Sequence, residues 1–399
     1  MLATHTSPAG SPPSHPASTA PLAHPPAAQY ASTYVPTTPE VIIVGAGLAG
    51  LHAARRLHAR GVAALVLEAR DRLGGRILSV DADGGPSDDG FDLGPAWFWP
   101  STQPHLAALI AELGLAAFPQ ASEGDVIIER MSREAPRRYR GMPQVPASMR
   151  LVGGASALVR AIARDLPPEH VWTGARVTAI ALGEDGMDIT LLRDGARTTL
   201  HAARVIAAVP PRLLESTVAF TPAPAPAVAQ RWRDTPTWMA PHAKFLALYD
   251  RAFWAEAGLS GTAQSMVGPL AEIHDATTAS GRPALFGFVG ASADQRCEAG
   301  EDHLTRACLE QLARLFGPEA RTPRATRLHD WAADPLTATA ADRVPGGHPV
   351  ADPAPWVTGP WEGRLVLAGS ETSAVEPGYL AGAVHAGQRA ADLVLQSRG

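Results

Sequence analysis

Gly45, Gly47 and Gly50, followed by an acid at Glu68, are the residues of this chain whose types and spacing bear most directly on chemistry. The glycines form a G-x-G-x-x-G pattern, and each has a separate physical task. Gly45 permits a tight turn. Gly47 lacks the Cβ that would keep a pyrophosphate away from the backbone, and Gly50 lets a helix pack close to a strand. Glu68 stands where a carboxylate accepts hydrogen bonds from a ribose. Its charge disfavours a cofactor with a 2′-phosphate, because the two negative groups would repel. The set reads as a dinucleotide site and does not by itself separate NAD from FAD.

These residues work only if the neighbouring elements place them. Val41–Val44 has the β-branched density of a strand buried on both faces. A helix over roughly residues 48–59 would aim its free N–H groups and positive dipole end at the phosphates. Gly61 ends that helix, and Ala64–Leu67 reads as the second strand, with Glu68 at its carboxyl end. Far along the chain, Gly363–Thr372 reads as a strand ending in a turn, and Gly378–Gly387 enters a helix that runs towards the end.

The run Glu68-Ala69-Arg70-Asp71-Arg72-Leu73-Gly74-Gly75-Arg76 resembles the extended FAD signature of the flavin-containing amine oxidase family, which includes monoamine and polyamine oxidases. The segment Gly378-Tyr379-Leu380-Ala381-Gly382-Ala383 resembles that family's last helix, whose start faces the flavin. Phe91–Trp97, Ala175–Ile180 and Ala203–Pro211 match more loosely, as a loop passing the flavin, the third strand region and a strand returning to the cofactor. The resemblance runs from about Pro39 to the end, and is specific at both ends and patchy in the middle. It implies an α/β fold of the GR2 type: a Rossmann-like FAD-binding domain of residues 39–92, 150–232 and 356–399, with a discontinuous α+β substrate domain of residues 93–149 and 233–355. Motifs for one cofactor at both ends of the chain require the intervening segments to leave and return. The proline-rich runs near 220–226, 345 and 355 read as crossings.

Within that resemblance Gly45, Gly47, Ala49, Gly50, Glu68 and Ala69 surround the dinucleotide. Arg70 and Arg76 lie near the pyrophosphate, with Gly74 and Gly75 letting the loop run beside it; forked guanidinium donors suit phosphates. Gly94, Pro95, Ala96 and Trp97 pass the flavin, the backbone near Val177 meets the adenine, and Gly369, Glu371, Gly378, Tyr379 and Leu380 complete the FAD site. The alternating segment His242–Trp254 reads as a strand and resembles the one that brings a lysine to the flavin N5 through water, which makes Lys244 the matching residue. Tyr379 matches an aromatic wall beside the flavin, and Trp97–Trp99 are candidates for the same cavity. Lys244, Tyr379 and Trp97 are therefore the candidate catalytic residues.

The chain also departs from the family. No aromatic follows the strand end at Trp331 where a second cage wall is usual, and the cysteine that tethers some flavins is missing there. FAD is expected to be non-covalent and the cage half open. No arginine follows Gly94, which weakens an amino acid substrate, although Arg282 or another distant residue could reach in. The expected reaction passes hydride from an amine α-carbon to flavin N5 without a strong side-chain base, with O2 as acceptor and H2O2 as product. The alternatives are an oxidase or desaturase of an apolar secondary metabolite, an L-amino acid oxidase, and a non-enzymatic FAD-binding protein.

Composition narrows the rest. A chain of 399 residues with net charge −5 carries no basic balance for nucleic acid or an anionic membrane. Cys297 and Cys308 fit no metal spacing or disulfide framework, which points to reduced thiols and the cytoplasm. No run is long and apolar enough to span a membrane, and no hydrophobic tail is expected as an anchor. Residues 1–38, rich in Pro, Ala, Ser, Thr and His, read as a disordered segment rather than a signal peptide or a metal site. Asp81–Gly85 fails the calcium-loop pattern and reads as a polar turn. No metal is predicted, and the partners expected are a small amine or apolar substrate and O2.

Overall fold

The Val41–Val44 strand is buried along its whole length and stands at the centre of a five-stranded sheet. The computed structural model describes residues 39–344 and 346–398. The disordered segment predicted over 1–38, and Pro345 in one predicted crossing, lie outside them. In spatial order the sheet is Leu365–Leu367, Arg204–Ala207, Val41–Val44, Ala64–Leu67 and Val171–Trp172, parallel throughout. Val41 faces Arg204 on one side and Ala64 on the other. Alternate residues of the central strand enter two different cores, Val41 and Ile43 in one, Ile42 and Val44 in the other. A strand covered on both faces must be apolar at every position, which is why this run reads so clearly.

The first core lies between the sheet and the helices Leu48–His58, Ser156–Arg164 and Leu380–Gln396. Close approach of the first and last helices depends on small residues: a Cβ on Gly387 would fall 2.4 Å from the Ala49 carbonyl oxygen. The second core is closed by a four-stranded sheet ordered Ala196–Ala202, Met187–Arg193, Arg176–Leu182 and Ala219–Thr221. The region around residues 175–180, expected as the third strand, belongs to this sheet instead. Val171–Trp172 takes the place beside Ala64–Leu67, and Gly174, with φ of 65°, turns the chain away before Arg176.

A seven-stranded sheet forms the other half of the fold, ordered Ala325–Asp330, Ala243–Leu248, Ala284–Val289, Leu270–Asp275, Leu259–Ser265, Asp125–Glu129 and Arg137–Tyr139. The Glu301–Phe316 helix covers one face, where Phe245 and Ala247 meet Cys308 and Leu312. The opposite face carries Leu246, Leu248 and Phe286 against Phe91 and Leu93. Cys308 is buried and Cys297 exposed, on separate helices. The Asp81 carboxylate accepts the N–H groups of Asp83 and Gly85 at 2.8 Å, which accounts for the turn. Among the described residues no group of three metal-ligating side chains gathers, and no helix is long and apolar enough to cross a membrane.

Candidate active site

A cavity of about 880 Å³ is lined by both large sheets: Val44 and Leu67 at the carboxyl ends of parallel strands, Lys244 and Phe288 from the seven-stranded sheet. Such a cleft at the carboxyl edge of a parallel sheet is where α/β folds bind ligands.

At the parallel-sheet end, Gly45 adopts φ of 101°, a turn disfavoured for residues with a side chain. A Cβ on Gly50 would lie 2.0 Å from the Gly45 carbonyl oxygen, so its bare Cα sets the strand-to-helix distance. Gly47 differs: a Cβ there would find nothing nearer than the Gly74 carbonyl oxygen at 4.0 Å. Gly47 is also the N-cap of the Leu48–His58 helix, which has no side-chain cap and no acid in its first turn. Unsatisfied N–H groups beside an open glycine make an anion cradle. This geometry fits a dinucleotide pyrophosphate.

Glu68 is buried and serves the cradle directly. Its carboxylate accepts the Ala46 N–H at 2.8 Å and the Arg70 N–H at 2.9 Å, which fixes the glycine turn and leaves lone pairs for a ribose. The arginines do not stand free. Arg70 pairs with Asp334 at 2.5 Å and donates to Thr337 at 2.8 Å. Arg76 forks onto Glu371, with contacts of 2.6 and 3.1 Å, and also reaches Ser370 and the Trp238 carbonyl. Burial would raise the Glu371 carboxyl, but Arg76 outweighs it and holds the group below the usual carboxylate range. Both arginines still line the cavity, each oriented by its acid.

Gly45, Gly47, Ala49, Glu68, Ala69, Arg70, Gly74, Gly75 and Arg76 line this end, and Val177 joins them from the four-stranded sheet. Gly94, Pro95, Ala96, Trp97, Gly378, Tyr379 and Leu380 line the middle. Three predicted residues stand behind the wall. Gly50 and Gly369 are points of backbone contact, and Glu371 braces Arg76.

Lys244 lies at the other end, 3% exposed. Its Nζ donates to the Gly94 carbonyl at 3.1 Å and lies 4.0 Å from the Phe286 ring centroid. Burial pushes this amine down to about 7, with the Asp92 carboxylate opposing the shift and Arg150 reinforcing it. Asp92 is fully enclosed and raised by burial; one oxygen accepts from Ser79 and the Ala155 N–H, and the other has no partner. Trp97 donates to Gln120 at 2.7 Å and packs edge-on against His274. Tyr379 meets Trp99 and Trp238 at 6.2 and 6.1 Å, and His348 lies tilted against it at 5.0 Å.

Local sequence reading passed over Trp238, Phe288 and Glu272, all of which line the cavity. Phe288 could have been found from strand alternation in Ala284–Val289; nothing local marks the other two. Arg282 does not reach in. It donates to the Asp89 carbonyl and lies over Phe91. Arg296 lines the cavity but is committed to Asp330 at 2.6 Å.

The glycine cradle, the buried lysine and the aromatic wall thus share one cavity. Residues 138–395 match the model of the flavin containing amine oxidoreductase family, and residues 43–113 match that of an NAD(P)-binding Rossmann-like domain. The chain belongs to the flavin containing amine oxidoreductase family. It is 24% identical to a Dictyostelium discoideum protein named "Probable flavin-containing monoamine oxidase A", over 88% of this chain and 96% of that one. It is 26% identical to a putrescine oxidase of Kocuria rosea, over 71% and 80%. A solved putrescine oxidase bound to putrescine shares the fold, with a TM-score of 0.75 at 23% identity over 90% of this chain and 99% of that one.

Proposed function

We propose that the protein is an amine oxidase that holds FAD without a covalent bond. One observation carries the reading: a single cavity runs from the glycine cradle to Lys244 and Tyr379. When bound, FAD supplies the two-electron acceptor that converts an amine to an imine and passes the electrons to O2 as H2O2. Gly47 and the first helix would hold the pyrophosphate, Glu68 the ribose and Val177 the adenine. Arg76, held by Glu371, orients the loop beside the phosphates. Tyr379, with Trp99 and Trp238, forms an apolar wall that excludes water and suits a neutral amine. Lys244 holds a proton at Nζ, directed towards the Gly94 carbonyl. Non-covalent attachment is supported by the lining itself, which contains no cysteine among the described residues.

The proposed division into a cofactor domain and a substrate domain is supported by the parallel sheet and the seven-stranded sheet being built from alternating stretches of chain. The unpaired Cys297 and Cys308 support a reducing compartment such as the cytoplasm. The aromatic lining also suits an apolar metabolite, and one experiment separates the readings. Purified holoprotein is mixed anaerobically with amines, amino acids and apolar candidates while the flavin absorbance is followed. Bleaching by amines, then peroxide on admitting air, is the expected result. Yellow protein that no amine bleaches overturns the proposal.

A further inference from the structure

Lys244 is the only lysine in a chain that carries 33 arginines. A guanidinium keeps its proton under all ordinary conditions, so an arginine supplies charge and hydrogen bonds but no nucleophile. A lysine can do what an arginine cannot: lose the proton and present an amine lone pair. The single alkylamine side chain of this molecule is also one of its most deeply buried polar groups, and it lines the cavity.

The surroundings of Nζ favour the neutral amine. Its one hydrogen bond goes to the Gly94 carbonyl at 3.1 Å, and the Phe286 and Phe288 ring centroids lie 4.0 and 5.7 Å away. Among the described residues no carboxylate pairs with it. Two charged groups act on it from a distance: Asp92, which favours the ammonium, and Arg150, which opposes it. Arg150 is buried as well, bonded to the carbonyls of Ala276 and Thr277. An amine enclosed by apolar rings, with a second cation nearby, is activated as a nucleophile because its charged form is disfavoured. In the neutral form one N–H can keep the Gly94 bond while the lone pair stays unengaged.

The geometry points to Lys244 as an imine-forming site that captures aldehydes, the product of its own cavity among them. Nζ adds to the carbonyl carbon and gives a carbinolamine. Both N–H protons of the neutral amine then depart with the carbonyl oxygen as water, and a C=N bond joins the aldehyde carbon to Lys244. Nothing is oxidised or reduced, and water reverses the step. An amine oxidised in this cavity yields an imine whose hydrolysis leaves an aldehyde there, beside the wall to which Lys244 belongs. The inference rests on the amine oxidase reading for the source of the aldehyde; the reactivity of the amine is independent of it.

The test adds butyraldehyde and cyanoborohydride to wild-type holoprotein at pH 7, so that any imine is reduced to a stable butyl-lysine. Trypsin and mass spectrometry then locate the group, since Lys244 is the only lysine at which trypsin can cut and butylation there leaves the 234–251 peptide whole. Lys244 is expected to be labelled faster than the terminal α-amine. In urea at the same pH its labelling should fall at least about tenfold, because unfolding returns the amine to its ordinary proton affinity. A label on the terminal amine alone, or equal labelling of Lys244 in folded and unfolded protein, overturns the inference. With butylamine and O2 in place of the aldehyde, the same butyl group should appear on Lys244 during turnover. Butylamine that is oxidised without labelling Lys244 removes the capture of product. Labelling by added aldehyde in a protein that oxidises no amine upholds the site and removes the amine oxidase reading instead.

Discussion

Lys244 combines deep burial with a single carbonyl partner, and that combination has consequences for both stability and chemistry. Its amine is depressed from the usual 10.5 to about 7, mainly by burial. Below about 7 the folded and unfolded chains both carry the proton, and the desolvation penalty is full. Between 7 and 10.5 the unfolded chain holds more protons, so this residue makes stability rise with pH. Lys244→Met removes the penalty. Apoprotein of that variant should be more stable than wild type by about 2 kcal/mol at pH 7, with the gain fading towards pH 10. Denaturant titrations at the two pH values measure it, and a gain independent of pH would contradict the burial argument. In the holoprotein the variant should also slow the reaction of reduced flavin with oxygen at least about tenfold, through loss of a positioned cation. An unaltered rate would take Lys244 out of the mechanism. Gly47 gives a complementary prediction. Gly47→Ala adds a methyl to open space, so apoprotein stability should change by less than about 1 kcal/mol, while flavin affinity falls at least about tenfold because the methyl occupies the cradle. Titration of apoprotein with FAD reads the second effect, and undiminished affinity would mean that the pyrophosphate binds elsewhere.

The first helix joins the cradle to the rest of the fold. It is held from behind by the Leu380–Gln396 helix, whose Gly387 lies against the backbone of Ala49. Tyr379 is the N-cap of the same helix, so one element both supports the cradle and delivers the aromatic wall. Gly387→Ala would set a Cβ 2.4 Å from the Ala49 carbonyl oxygen, and the helices would have to separate. Overpacking of this kind costs about 1–3 kcal/mol, which urea denaturation measures. A neutral result would show that the last helix can shift freely. At this level the sequence is informative wherever local pattern and burial agree. Val41–Val44 is legible because both of its faces are covered, and the first helix because a glycine turn precedes it and Gly61 follows. Around Val171–Trp172 the reading fails: two residues complete the parallel sheet, too few to show periodicity, and the longer Arg176–Leu182 strand next to them goes to another sheet.

In the whole molecule, segments distant in sequence meet at one cavity, and the mode of flavin attachment is a property of that meeting. Cys297 and Cys308 lie on helices of the substrate half, outside the lining. Acid or heat precipitation should therefore release all of the flavin, unmodified, into the supernatant; colour retained in the pellet would overturn non-covalent binding. The dinucleotide end was legible in the residues because its parts, Val41 to Arg76, are nearly contiguous, and because a phosphate cradle tolerates few substitutes for glycine at a turn. Lys244, Tyr379 and Trp97 were named through family resemblance rather than local physics, and the fold brings all three to the same cavity. The remaining substrate side was hidden. Trp238 and His348 reach Tyr379 from separate loops, and the row Glu272, Phe288 and Lys244 exists only through strand register. Sequence alone thus determined that the site takes a dinucleotide, because backbone access and local turns are written in adjacent residues. Tertiary structure alone decided what surrounds the substrate, because a one-residue change of register would turn Glu272 from the cavity to the opposite face.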